Sequence, residues 1–133
     1  MDFALHPRLQ ADTAFVTDWP LSRVLLMDDA RFAWLVLVPR CAGARELFDL
    51  EAAERAALME EIARVAVGLK RLTCCAKINI GMLGNLVGQL HIHVVARNPG
   101  DAAWPGPVWG SGAPEPYAAK ARAAFLARLV NDL

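Results

Sequence analysis

The stretch Gln89-Leu90-His91-Ile92-His93-Val94-Val95 decides how this chain is read. Polar and apolar residues alternate along it, as they do in a strand with one face in a core. Successive side chains of a strand point to opposite faces, so Gln89, His91 and His93 are expected on one surface, with Leu90, Ile92 and Val94 on the other. Just upstream, Gly84-Asn85-Leu86-Val87-Gly88 reads as a loop whose glycines let backbone N–H groups turn toward an anion. An anion cradle beside an imidazole is what phosphoryl transfer requires: the loop holds oxygens while a neutral imidazole attacks phosphorus. The same residues carry blander meanings. A His-X-His pair on a strand is more often structural, or half of a metal site, and a glycine-bearing loop between strands is usually a hairpin turn. A metal site needs a third and usually a fourth ligand. The remaining histidine is His6, and Asp101 or Cys41 could join only through the fold.

Working outward, residues 76–82 form a second strand ahead of that loop. Residues 15–19 read as a short strand closed by Pro20. Residues 23–27 and 32–38 are rich in Val, Leu and aromatics and are separated by Asp28-Asp29-Ala30-Arg31, the pattern of a hairpin. The second of these strands is apolar at every position, so both of its faces should be covered, and Pro39 stops it. Residues 49–72 carry the clearest helix. Leu58, Ile62, Val65, Leu69 and Leu72 recur at helical spacing, Asp49 is placed to cap the start, and Lys70 and Arg71 fall in the last turn. Glu60, Glu61 and Arg64 read as its wet face. A short helix or irregular arm is expected over 1–13, an irregular but packed segment over 98–116, and an amphipathic helix over about 117–132. The whole describes an α+β domain: about five strands in a mainly antiparallel sheet, one long central helix and a C-terminal helix.

A chain of 133 residues suits one domain, taken as 1–133 with its signature region at 79–97. Fourteen basic and fourteen acidic residues cancel, which gives no general attraction to a nucleic-acid polymer or an anionic membrane. The apolar share of 56% is enough for a core and for an interface between subunits. No apolar run reaches membrane-spanning length, and the start lacks the basic and apolar stretches of a secretory signal. Three cysteines, 41, 74 and 75, show no zinc spacing and read as reduced, small buried hydrophobes in a cytoplasmic protein.

The motif region resembles the histidine triad family, whose signature is His-φ-His-φ-His-φ-φ, with Gln89 standing where the first histidine would be. The resemblance takes in Asn79, the glycine loop, Arg97, and Leu37-Val38-Pro39-Arg40 at the hairpin end, and so covers about residues 15–100. Within the family the chain is similar to compact bacterial members with Gln-Leu-His-φ-His-Val followed by Trp-Pro-Gly-Pro-φ-Trp-Gly, here 104–110. The resemblance implies that His91 attacks an α-phosphorus and forms a nucleotidyl-histidine, while His93 contacts phosphate and assists the leaving group. It implies substrate contacts at Asn79, Gly84, Asn85, Gln89 and Arg97, and release of a nucleoside monophosphate by water. The substrate would be a nucleoside phosphoramidate or a dinucleoside polyphosphate. No cofactor is required, although a divalent metal could accompany the substrate phosphates, and the implied assembly is a homodimer joined edge to edge.

Two features depart from the family pattern. Gln89 cannot titrate or act as an acid, but its amide can orient the neighbouring imidazoles. Cys41 and Ala42 stand where many members carry a histidine after the hairpin. Trp104 and Trp109 are candidates for stacking on a base or filling an interface. Two rival expectations follow from the same residues: a nucleotide-binding sensor with little turnover, and a metal-dependent enzyme using His91 and His93 as ligands.

Overall fold

The structure is a computed structural model that describes residues 2–133. A helical turn, α1 (Pro7–Asp12), leads into strands β1 (Thr13–Asp18), β2 (Ser22–Met27) and β3 (Ala33–Pro39). A short 3-10 turn at Leu47–Asp49 precedes the long helix α2 (Ala52–Thr73). Strands β4 (Lys77–Gly81) and β5 (Ile92–Arg97) and helix α3 (Ala119–Asp132) complete the order. Among the described residues the strands form one sheet in the order β1-β2-β3-β5-β4, with every neighbouring pair antiparallel. This is the α+β architecture expected from the pattern of the sequence. No helix among the described residues is long and apolar enough to cross a membrane.

The all-apolar β3 sits in the middle of the sheet, and two cores cover its two faces. On one face Leu35 and Leu37, with Ile92 and Val94 of β5, meet the α2 stripe of Leu58, Ile62, Val65 and Leu69, and Leu129 of α3 closes that layer. On the other, Trp34, Val36 and Val95 pack with Leu9 of α1, Val87 and Val108. Burying the aliphatic stripe of α2 removes side chains from water at about 1.5–3 kcal/mol apiece, which outweighs the modest intrinsic preference of a helix to form.

Several boundaries differ from the sequence reading. Helix α2 begins at Ala52, not 49, because Glu51 and Glu54 form a reciprocal capping box there, while the Asp49 carboxylate accepts from Glu46 and Arg45 N–H and closes the preceding 3-10 turn. Helix α3 begins at Ala119, because Tyr117 N–H is drawn to the Asp28 carboxylate, 3.0 Å away. Glu61 is not on a wet face. It is 9% exposed and accepts the N–H groups of Leu21 (3.0 Å) and Ser22 (2.9 Å), pinning the β1–β2 turn to α2. Arg64 lies over the Trp19 ring at 4.2 Å. Of the cysteines only Cys75 is buried; Cys74 is exposed and ends α2 in the left-handed conformation at φ 54°.

Candidate active site

Strand β5 is shorter than its sequence pattern. The ladder with β3 starts at Leu37↔Ile92, and Leu90, which the same register would set opposite Pro39, donates its N–H instead to Ala44 O (3.0 Å). His91 therefore lies just before the strand and His93 within it, with their rings edge-on at 4.8 Å between centroids. Both are almost fully buried, at 7% and 6% exposure.

Each imidazole has a distinct partner at Nδ1. His91 Nδ1 lies 2.7 Å from the Gln89 carbonyl oxygen, which can only accept, so that nitrogen carries the hydrogen and Nε2 keeps a lone pair. His93 Nδ1 accepts the indole N–H of Trp34 at 3.0 Å, so its own hydrogen sits on Nε2. The site thus presents one nitrogen lone pair and one N–H from adjacent rings. Burial, and secondarily the neighbouring His91, push His93 down to about 4, so it is neutral at physiological pH. The His93 ring is flanked by Trp34 and Trp109, each 5.5 Å away between centroids. Trp109 comes so close to β4 that a Cβ at Gly81 would fall 2.6 Å from its ring, which explains the glycine opposite His93.

A His93 held neutral makes the fold acid-sensitive. Its native proton affinity is depressed below the ordinary 6.5, so between 6.5 and about 4 the unfolded chain binds the proton and the native one does not. This contribution to stability is complete above pH 6.5 and is lost as pH falls toward 4, at about 1.4 kcal/mol per pH unit. Replacing Trp34 with phenylalanine removes a donor that is incompatible with a protonated Nδ1. We expect the His93 titration to move up by about one unit, read from the imidazole nitrogen shifts by NMR. An unmoved titration would show that the indole has no part in setting the tautomer.

The two histidines line an open cleft of about 650 Å³. Its other walls are Arg8, Leu9 and Asp12 of α1, Asp28, Asp29 and Arg31 after β2, the loop 83–87, and Val108 with Trp109. Gly84 has φ +79°, a conformation that favours glycine, and its loop lies beside the imidazoles as the sequence implied. Leu83 to Val87 line the cleft, and among the described residues no protein acceptor engages the N–H groups of Asn85, Leu86 or Val87. Asp29 is held by Arg31 at 2.8 Å, and Arg31 also reaches Ser111 O, tying the β2–β3 turn to the 108–112 segment.

Of the sequence-derived site residues, His91, His93, Gly84 and Asn85 converge on this cleft, whereas Asn79, Gln89 and Arg97 do not line it. Arg97 is 1% exposed, with its guanidinium bound to the Asp101 carboxylate at 2.7 and 2.9 Å and to Asn79 Oδ1 at 2.9 Å. Its donors face these partners and not the cleft, so both Arg97 and Asn79 hold the base of the 98–116 segment. The Gln89 side chain does not orient the imidazoles. It points to the N-terminal arm, accepting His6 N–H and donating to Ala4 O at 2.8 Å each, and only its backbone carbonyl touches His91. No group of three or more His, Cys, Asp or Glu among the described residues is arranged to hold a metal. Trp34 was absent from the sequence-derived site. Its one signal was an indole N–H in an otherwise aliphatic central strand, where a buried N–H must find an acceptor.

Comparison with known proteins bears directly on this site. The HIT domain model matches residues 8–100, most of the chain and all of the cleft-lining loop and histidines. The chain belongs to the histidine triad family. Similar solved structures include a histidine triad protein of Bradyrhizobium japonicum, 48% identical with a TM-score of 0.96 over 99% of this chain and 98% of that one. A histidine triad protein of Sinorhizobium meliloti is 46% identical with a TM-score of 0.96 over 98% and 97%. One of Marinobacter aquaeolei is 41% identical with a TM-score of 0.97 over 100% and 97%. No curated protein matches the chain. Gln89, His91 and His93 of this histidine triad protein all lie within the matched residues.

Proposed function

We propose that this histidine triad protein is a nucleotide hydrolase or transferase that cleaves a nucleoside phosphoramidate or dinucleoside polyphosphate through a covalent intermediate on His91. The observation that carries the reading is the pair of Nδ1 partners, the Gln89 carbonyl on His91 and the Trp34 N–H on His93, from which follow a lone pair on His91 Nε2 and an N–H on His93 Nε2. In the reaction His91 Nε2 forms a bond to the α-phosphorus as the bond to the leaving group breaks. The developing charge on the imidazole is met by the Gln89 carbonyl at Nδ1–H. Neutral His93 donates Nε2–H to a phosphoryl oxygen and does not supply the proton, since giving it up would leave an imidazolate; the departing amine or phosphate is protonated by water. The loop 83–87, which lines the same cleft, would supply backbone N–H groups to the remaining oxygens. Water then adds to phosphorus, the P–N bond breaks, and a nucleoside monophosphate leaves. No cofactor enters this scheme. A second copy of the chain would meet this one along the outer edge of β4, where Ile80 and Met82 are exposed.

The test is to quench turnover at alkaline pH, where a phosphorus–imidazole bond survives, and to sequence the peptide spanning 78–97 by mass spectrometry. A nucleotidyl mass on His91 is the expected result. Turnover without an adduct would replace covalent catalysis with direct attack by water. Binding of AMP or GMP with neither adduct nor turnover would make the protein a sensor.

A further inference from the structure

Gln89 is the residue at which this chain leaves the family signature, and its side chain is engaged away from the histidines. Its amide makes two bonds to one extended segment, 83 and 85 residues distant in sequence: Oε1 accepts His6 N–H and Nε2 donates to Ala4 O, both at 2.8 Å. A carboxamide presents an acceptor and a donor side by side, matching the C=O and N–H of residues two apart in an extended chain. An imidazole cannot do this, because its two nitrogens diverge across the ring. From His6 the segment passes directly into α1: His6 Nδ1 accepts Arg8 N–H at 3.0 Å and caps the helix, and Pro7 opens its first turn. A six-residue helix has little stability of its own and depends on such anchors. Leu9 is 3% exposed within the core under the cleft, and Phe3 and Leu5 pack against the same core. Arg8, Leu9, Ala11 and Asp12 then form one wall of the cleft.

We infer that Gln89 is a positioning residue for substrate binding, its amide strapping residues 4–6 so that α1 holds its part of the cleft wall in place. The inference rests on the nucleotide reading above and deepens it: exchanging the first triad histidine for glutamine trades a possible proton carrier for a fixed binding wall. The backbone of the same residue holds His91 Nδ1–H. A side-chain change at 89 therefore loosens the wall while leaving the nucleophile its partner.

The test uses the full chain and two variants that break the strap from opposite ends, Gln89→Ala and His6→Pro. The second removes the N–H that Gln89 accepts, at a residue whose φ of −55° suits proline. Calorimetry with AMP and GMP gives affinity, steady-state hydrolysis of an adenosine phosphoramidate separates KM from kcat, and amide exchange reports protection of His6 N–H. We expect Q89A to lose that protection, to weaken mononucleotide binding and raise KM about tenfold, and to keep kcat within about twofold. H6P, which also removes the Nδ1 cap on Arg8 N–H, should lose at least as much, and the double variant should be no weaker than H6P. Unchanged affinity and KM in Q89A, a fall in kcat at constant KM, or additive losses in the double variant would each overturn the strap. Wild-type protein that binds neither AMP nor GMP would overturn the nucleotide reading itself, an outcome separate from wild-type binding that the variants leave intact.

Discussion

Replacing His91 with asparagine is expected to lower release of nucleoside monophosphate by about 10³-fold or more, with the fold and nucleotide affinity retained. Asparagine can still donate an amide N–H toward the Gln89 carbonyl, so the packing at 7% exposure is disturbed little. What it lacks is a nitrogen lone pair able to bond phosphorus, since an amide nitrogen is not nucleophilic. His93→Asn provides the comparison. It withdraws the N–H at the Nε2 position, because the shorter asparagine amide ends before that point, and losing a single such donor costs about 10²–10³ in kcat. The two effects should therefore differ in kind as well as in size: only H91N eliminates the covalent adduct. Steady-state rates and single-turnover trapping of both variants check this, and an H91N rate equal to wild type would rule out the proposed nucleophile.

The largest expected loss of stability lies at Asp101. The Arg97 guanidinium is 1% exposed, and Asp101 supplies two of its contacts, at 2.7 and 2.9 Å. The side-chain bond to Arg97 holds the Asp101 carboxyl well below the ordinary carboxylate value, outweighing the opposing effect of burial. Asp101→Ala leaves a buried charge with only the single bond to Asn79 Oδ1 and stacking on Phe32 and Trp104. Breaking one partner of a buried pair costs about 3–5 kcal/mol, which in a domain of this size lowers Tm by about 11–18 °C. The Asp101 carboxylate also accepts the N–H groups of Asn98 and Ala103, so its loss releases the start of the segment that carries Trp109 against His93. Thermal melts of D101A and of the double variant with Arg97→Met separate these contributions. The double variant should recover part of the loss, because no unpaired charge remains. The pair's sign with pH follows from the depressed Asp101 value: its contribution is present above the ordinary carboxylate range and disappears only in strong acid.

The sequence by itself determined the sheet, the long helix and the location of the chemistry. Those features rest on local periodicity: alternation in 89–95, a continuous apolar run in β3 and a helical stripe in α2 each report which faces must leave water, and each was legible without neighbours. Only the tertiary structure decided what the polar side chains do, because a polar group takes whichever partner the fold brings within about 3 Å, and sequence distance says nothing of that. Arg97 and Asn79 looked like phosphate ligands from their place near the motif, but Asp101 lies close enough to claim the guanidinium. Glu61 looked solvated from its charge, but it meets two backbone N–H groups 39 and 40 residues away. Trp34 drew no notice within an apolar run, yet its N–H sets the tautomer of His93. Gln89 read as a weakened triad member facing its histidines. The chain instead turns at 89, before the ladder begins, so the amide faces the N-terminal arm and the carbonyl faces His91.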